Sequence, residues 1–269
     1  MLNAESIRKA LSPGVDPGHI DVVEEIDSTN AEALRRLADA PATPGAECLL
    51  VARSQTAGRG RRGRQWLSPQ NAGIYLSLTQ VFEAELNQLQ ALSLVTALSV
   101  AQAIDELGGE PVQLKWPNDV LVGNKKLAGI LLETSGNHQH PAIVFGIGIN
   151  LKLPAEVIED LGRPVTDLST ELKSEIDAGS LVAGICNRLF PNLKTHAQQG
   201  FIAFQDDWNS RDRYLHRDVI LANGNDRNIG RALGVDAQGA LLLQTAQGIR
   251  TVSGGEIFPS LYEADKFTS

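Results

Sequence analysis

The sequence predicts an α+β fold: helices and strands share one larger unit, and a small β-barrel follows at the C-terminal end. Three observations carry this. Stretches with helical spacing (29–38, 86–107 and most of 155–208) are interleaved with short apolar or alternating stretches. Gly123-Asn124 sits between two strand-like runs, Val120–Val122 and Leu127–Glu133, as the turn of a hairpin does. From Arg217 the runs VIL, IGRALGV, ALLLQ and IRTV are separated by turn residues, a spacing typical of a small barrel. The boundary falls near Arg213, dividing the chain into 1–212 and 213–269.

The elements follow in order. Residues 2–11 form a short helix stopped by Pro13-Gly14, and 20–26 alternate as a strand. Asp27-Ser28-Thr29-Asn30 opens a helix to about Ala38, and Thr29 with Glu32 has the form of a capping box. Cys48–Arg53 is an apolar strand, Ser54–Ser68 a Gly/Arg loop and Ile74–Phe82 a strand. Leu86–Leu107 is the longest helical pattern, stopped by Gly108-Gly109. Val112–Trp116 is a strand ended by Pro117, and Ala142–Leu151 another that follows the hairpin.

Composition narrows the function. The 269 residues carry 24 Lys and Arg against 32 Asp and Glu, a net charge of -8, which weighs against a surface built for nucleic acid or anionic lipid. No stretch reaches the roughly 20 apolar residues of a membrane helix, and the N-terminus has no apolar leader core. Cys48 and Cys186 lack metal or redox spacing and read as buried thiols, so the expected location is the cytoplasm. His138 and His140 flank a polar turn with no third ligand nearby, so no dedicated metal site is expected.

Charge is unevenly spread. Residues 48–82 contain no acid but carry Arg53, Arg59, Arg61, Arg62 and Arg64. Gly58–Gly63 satisfies G-x-G-x-x-G, yet no helix follows, so a dinucleotide fingerprint is not supported; a Walker-type P-loop is absent too. Glycines let a backbone approach a ligand, and forked guanidiniums suit phosphates and carboxylates. Such a loop gains most by folding over a small anion and excluding water, since charge attraction grows as the dielectric falls. The competing reading is contact with RNA or DNA through the same loop.

Two further constellations stand out. Lys115-Trp116-Pro117-Asn118-Asp119 precedes Lys125–Leu131, and a hairpin across Gly123-Asn124 sets the two side by side. Strict alternation puts Lys126 with Ala128 on one face and Leu127 with Gly129 on the other; on the pattern alone, the two lysines read as solvated turn residues. Gly146-Ile147-Gly148-Ile149-Asn150 places two glycines on one strand face, either the floor of a slender pocket or room for a crossing element.

Taken in order, DSTN (27–30), QTAGRGRRGRQW (55–66), KWPND (115–119), KLAGIL (126–131), GIGIN (146–150) and SGGEI (253–257) resemble the motifs of the biotin protein ligases. The resemblance implies a class II synthetase-like catalytic domain, with a mixed, mostly antiparallel sheet, followed by an SH3-like β-barrel. It implies an enzyme that makes biotinyl-5′-AMP from biotin and ATP. Biotin then passes to a lysine of the biotin carboxyl carrier protein of acetyl-CoA carboxylase. It assigns Arg61, Lys126 and Asp119 to catalysis. Biotin would be bound by Ser28, Thr29, Asn30, Gln55, Arg59, Gly60, Arg61, Lys126, Gly129, Gly146 and Gly148. ATP would be bound by Arg59, Arg61, Arg62, Arg64, Trp66, Asn118 and Asn150, with Mg²⁺ carried on its phosphates.

Two departures qualify the resemblance. Members that double as repressors carry an N-terminal helix-turn-helix domain, whereas only about twenty residues precede the strand at 20–26; no specific DNA binding is expected, and a homodimer is compatible. No Trp, Phe or Tyr lies between Leu161 and Thr170, so the partner of the adenine ring is unassigned. A lipoate or octanoate ligase or transferase is the related alternative; a non-catalytic nucleic-acid-binding module is the unrelated one.

Overall fold

The computed structural model describes residues 2–39, 47–83, 89–136, 141–172 and 175–259. His138 and His140 lie outside the described residues. The chain runs α1 (Ala4–Ala10), β1 (His19–Ile26), α2 (Thr29–Asp39), β2 (Cys48–Gln55), β3 (Gly73–Val81), α3 (Leu92–Asp105), β4 (Gln113–Lys115), β5 (Asp119–Val122), β6 (Lys125–Gly136) and β7 (Pro141–Asn150). Then come α4 (Ala155–Leu161), α5 (Leu168–Leu172), α6 (Ala178–Gln199), α7 (Gln205–Arg211) and five short strands, β8 (Asp218–Asn223), β9 (Asp226–Val235), β10 (Leu241–Thr245), β11 (Gly248–Val252) and β12 (Glu256–Phe258).

Seven strands form one mixed sheet in the order β1-β2-β3-β7-β6-β5-β4. Only β1 and β2 pair in parallel, because α2 carries the chain back across the sheet between them; every other pair is antiparallel. The period-two rule sorts the central strands into two faces. Leu49, Val51, Ile74, Leu76, Leu78, Phe145, Ile147 and Ile149 join α3 and α6 in the main core. Tyr75, Ser77, Gly146 and Gly148 take the intervening positions and face the site, beside α2 and the Arg loop. Fully burying a large apolar side chain contributes about 1.5–3 kcal/mol, so the α3–α6 face is what holds the sheet.

The start of α2 differs from the expected capping box. Ser28, not Thr29, caps the helix: its Oγ accepts from Ala31 N at 3.4 Å. Thr29 lies in the first turn and donates its backbone N–H to Gln55 Oε1 at 2.9 Å. Glu32, expected in the box, pairs instead with Arg35 and Arg36. The described part of the long helical pattern at 86–107 is helical from Leu92.

The expected hairpin forms, with Val122 opposite Lys125 across Gly123-Asn124. Its register slips by one residue beyond that point, since Val120 pairs with Ala128 while Leu121 pairs with Lys126. Leu127 is the extra residue of this bulge. The slip overturns the alternation that grouped Lys126 with Ala128. Leu127 and Ala128 both enter the core, while Lys126 swings to the side of Gly129. Without the bulge, the phase of Ala128 and Ile130 would drive the ammonium into the apolar core.

The C-terminal strands pair antiparallel in the order β11-β10-β9-β8-β12, with β11 and β12 at the ends; among the described residues this is a five-stranded sheet. It packs directly on the larger unit. Trp116 Nε1 donates to Gly239 O at 3.2 Å, and Leu221, Val235, Leu241 and Ile257 join the main apolar cluster. Among the described residues no helix is long and apolar enough to cross a membrane.

Candidate active site

The Gly/Arg loop between β2 and β3 is a small hairpin closed by its own backbone. Arg59 pairs with Gln65, Gly60 N donates to Arg64 O at 2.7 Å, and Trp66 N donates to Gly58 O at 2.9 Å. A single 3-10 turn at Arg61–Gly63 forms the tip, with Arg62 in the left-handed region at φ 58°. This hairpin lies over the site face of the sheet and, with α2, β6 and β7, walls a cleft.

The residues singled out from sequence converge there. Ser28, Thr29, Asn30, Gln55, Arg59, Gly60, Arg61, Arg64, Trp66, Asn118, Asp119, Lys126, Gly129, Gly146 and Gly148 all line the cleft. Arg62 and Asn150 do not. Arg62 is exposed and turns toward the C-terminal sheet, where its Nη2 lies 3.5 Å from Ala222 O. Asn150 is buried behind the cleft and donates Nδ2 to Thr166 O at 2.9 Å, so it ties β7 to the 163–167 segment.

One end of the cleft is a fixed network of amides and hydroxyls anchored on the Glu133–Arg59 ion pair. Ser77 Oγ lies 2.8 Å from Thr29 Oγ1 and 2.6 Å from Asn30 Oδ1. Asn30 Nδ2 donates to Glu133 Oε2 at 2.9 Å, and Glu133 Oε1 takes Arg59 Nη2 at 2.8 Å. Gln55 accepts from Thr29 through Oε1 and donates to Ser68 Oγ at 2.8 Å. Interlocked amides and hydroxyls of this kind suit a ligand with both donors and acceptors.

The glycines on β6 and β7 make room for side chains. A Cβ on Gly146 would meet Asn30 Oδ1 at 2.3 Å, and one on Gly148 would meet Trp66 Cε2 at 2.5 Å. A Cβ on Gly129 would crowd Trp66 at 2.9 Å and Lys126 Nζ at 3.0 Å. The flat floor expected from the glycine pattern is therefore covered in part by an indole. Trp66 Nε1 is sealed from solvent with no hydrogen-bond partner among the described residues, and Lys126 Nζ stands 5.3 Å from the ring centre.

The other end is charged. Lys126 Nζ donates to Asp119 Oδ1 at 2.5 Å. Burial pushes Asp119 up, but Lys126, Lys115 and Arg163 outweigh it and hold the carboxyl below its ordinary value. Burial draws Lys126 down, helped by Arg163 and Lys115 and opposed by Asp119. Arg61 is half-buried, and its Nη1 donates to Asn118 Oδ1 at 3.1 Å; burial is the main cause that lowers its affinity for protons. Asn118 in turn donates to Ile130 O at 2.8 Å. Arg64 grips Glu256 of β12 through both terminal nitrogens, at 3.1 and 2.5 Å, linking the Arg loop to the C-terminal sheet.

Four contributors escaped the sequence reading. Ser77 had a signal, a hydroxyl at the centre of an apolar strand. Glu133 stands at period two from Gly129 on the same face. Glu256 lies inside the SGGEI motif but had no assigned role. Arg163 had no local signal at all, since it follows a short helix in a region without clear periodicity.

Fold and cleft together define a catalytic unit of the class that activates small carboxylic acids for transfer to protein. Residues 22–150 match the profile of the Biotin/lipoate A/B protein ligase family, and 217–258 match the Biotin protein ligase C terminal domain. The bifunctional ligase/repressor BirA of Escherichia coli is 36% identical over 267 residues, covering 99% of this chain and 80% of that protein. A biotin--[acetyl-CoA-carboxylase] ligase of Paracoccus denitrificans is 36% identical, covering 86% of this chain and 97% of its own length. The solved structure of a biotin protein ligase from Aquifex aeolicus in complex with biotin and ATP superposes with a TM-score of 0.72 at 31% identity, covering 89% of this chain and 97% of that one. The chain belongs to the biotin protein ligase family.

Proposed function

We propose that the chain uses ATP to convert biotin to biotinyl-5′-AMP and then biotinylates a lysine on the biotin carboxyl carrier protein of acetyl-CoA carboxylase. The observation that supports this best is the division of a single cleft. A hydrogen-bonding end of amides and hydroxyls around Asn30 and Gln55 faces a cationic end around Arg61 and Lys126. A ligand with an amide-like ring at one end and a carboxylate at the other fits that polarity.

In this reading Ser28, Thr29, Asn30 and Gln55 hold the ureido ring, and Ser77 and Glu133 fix their orientation. The thiophane and valeryl chain lie along β6 and β7 beside Trp66. Arg59, Gly60 and Arg61 hold the biotin carboxylate and the phosphates, with Arg64 and Asn118 on the nucleotide side. A carboxylate oxygen attacks the α-phosphorus, the bond to the β-phosphate oxygen breaks, and pyrophosphate leaves. Lys126 lowers the repulsion between the two anions as they meet. In the second step the acceptor amine attacks the acyl carbon and AMP departs. Asp119, held ionised by Lys126, orients the amine or takes its proton. The Arg hairpin covers the mixed anhydride and keeps it from water.

Mg²⁺ fits as a companion of the phosphates. The carboxylates lining or bordering the cleft are each engaged by a cation, Asp119 by Lys126, Glu256 by Arg64 and, behind Asn30, Glu133 by Arg59, which leaves the phosphate oxygens as the hard ligands. Cys48 and Cys186 are free thiols, in keeping with a cytoplasmic setting.

Biotin-dependent ATP–pyrophosphate exchange tests the proposal, with lipoate and octanoate as competing substrates. Exchange with biotin alone is expected. Activity with lipoate but not biotin would overturn it. The C-terminal profile match at 217–258, which names biotin protein ligases, favours the biotin reading.

A further inference from the structure

A continuous hydrogen-bond circuit leaves the Arg hairpin at its root and returns to it at its stem. Gln55 is paired with Ser68 where the hairpin leaves β2, and its Oε1 accepts from the backbone and the hydroxyl of Thr29. From Thr29 the circuit passes through Ser77 to Asn30, and from Asn30 to Glu133. Glu133 then takes Arg59, which is paired with Gln65 inside the hairpin. Glu133 is thus the joint between the hydrogen-bonding end of the cleft and the hairpin that covers it.

Glu133 does not itself line the cleft; it stands on β6 beyond the residues that β5 covers. Its two oxygens have separate partners. Oε2 takes Asn30 Nδ2 at 2.9 Å, and Oε1 takes Arg59 Nη2 at 2.8 Å. An ionised carboxylate only accepts, so the atom of Asn30 that faces it is the nitrogen. The other Nδ2 hydrogen goes to Leu131 O at 3.2 Å, and Oδ1 takes Ser77 Oγ at 2.6 Å. Oδ1 keeps one lone pair, so Asn30, which lines the cleft, can accept one N–H from a ligand. The Glu133–Arg59 pair is half in water, with Arg59 46% exposed and Glu133 19%. A pair so placed contributes little while water reaches it, and more once the cleft is dry.

We propose that Glu133 is a positioning residue that ties closure of the Arg hairpin to capture of the ligand's ring. The inference rests on the reading above that the ureido ring lies against Asn30. A ring N–H donated to Asn30 Oδ1 polarises the amide, and the amide then donates more strongly to Glu133. The ring also displaces water from that end of the cleft, which strengthens the attraction between Glu133 and Arg59. Arg59, held to Gln65 across the hairpin, carries the stem with it and sets the tip arginines over the charged end. Glu133 touches neither substrate nor reacting atoms; it acts through Asn30 on one side and Arg59 on the other.

The test uses the full chain and the variants Glu133→Gln, Glu133→Asp, Arg59→Gln and Glu133→Gln/Arg59→Gln. Trypsin cleavage after Arg61 and Arg62, followed by mass spectrometry, reports how open the hairpin is, with and without saturating biotin. Biotin is expected to slow these cuts in the wild type. With biotin bound, Glu133→Gln should be cut about tenfold faster than wild type, as loss of a charge-assisted hydrogen bond implies. Without biotin its rate should stay within about twofold of wild type. Glu133→Asp, which keeps the charge on a shorter arm, should fall between the two. The double variant should be cut no more than about twofold faster than Arg59→Gln, because both substitutions break one link. Undiminished protection in Glu133→Gln overturns the proposal. So do losses that multiply in the double variant, or cuts that quicken equally with and without biotin, the mark of a merely structural residue. Should Glu133→Gln fail to fold, Glu133→Asp carries the same comparison with Arg59→Gln. A wild type that exchanges with biotin but gains no protection overturns this proposal alone, whereas a wild type that does not exchange overturns the ligase reading.

Discussion

Replacing Asp119 by Asn isolates the work of the pair at the charged end of the cleft. Asp119 Oδ1 and Lys126 Nζ are 2.5 Å apart, and their side chains are 12% and 16% exposed. At that separation and an effective dielectric near 20, two unit charges attract by about 7 kcal/mol, much of it offset by removing both from water. The variant loses the attraction but keeps the cost on Lys126, which then faces Arg163 and Lys115 alone. Breaking a buried pair in this way costs about 3–5 kcal/mol. For a chain of this size that lowers the melting midpoint by roughly 6–20 °C. Circular-dichroism melts at constant pH measure it, with the exchange assay run in parallel. The double variant Asp119→Leu/Lys126→Met should recover most of the stability, because neither charge is left stranded, while the loss of Lys126 abolishes exchange. A midpoint for Asp119→Asn within about 2 °C of wild type would show that the pair is effectively solvated and would refute the argument.

Three further outcomes follow from the geometry. Arg61→Gly removes the guanidinium that ties the loop tip to Asn118, so biotinyl-5′-AMP should escape and label lysines indiscriminately; undiminished retention in rapid filtration would contradict this. Gly148→Ala drives a methyl to 2.5 Å from Trp66 Cε2. Moving the indole should raise the KM for biotin about tenfold, in line with overpacking costs of roughly 1–3 kcal/mol, and should shift tryptophan fluorescence; an unmoved KM counts against Trp66 beside biotin. Asp212 is buried, and desolvation lifts its carboxyl to about 6 against a single bond from Tyr214 N. A raised folded value means the folded state binds more protons than the unfolded one between about pH 4 and 6. Its contribution is therefore full below about pH 4 and falls by about 3 kcal/mol as pH rises to 6, then stays level. Denaturant unfolding at several pH values should show that decline in the wild type and lose it in Asp212→Asn.

Much of the site was legible because its determinants are local. The acid-free Arg/Gly window, the hairpin turn at Gly123-Asn124 and the paired glycines of GIGIN are each written in neighbouring residues, and the Arg/Gly window and the glycines meet at one cleft. The errors fall where a local rule meets a longer-range one. Thr29 looked like a cap because T-x-x-E is a short-range pattern, but Gln55 on β2 competes for it. Lys126 looked like a solvated turn residue because strict alternation hides a bulge whose cause is the pairing of β5 with β6.

By itself the chain determined the inventory: which residue types carry the chemistry, their order, and which face each residue of β3 and β7 presents. These follow from side-chain chemistry and a two-residue period, which need no partner. Tertiary structure decided the rest. It set the phase of Lys126, laid Trp66 across Gly148, and brought Glu256 and Arg163 from distant segments to the Arg loop and the Asp119–Lys126 pair. Register, packing and the pairing of buried charges depend on what the opposite element contributes, and no window of neighbouring residues contains that.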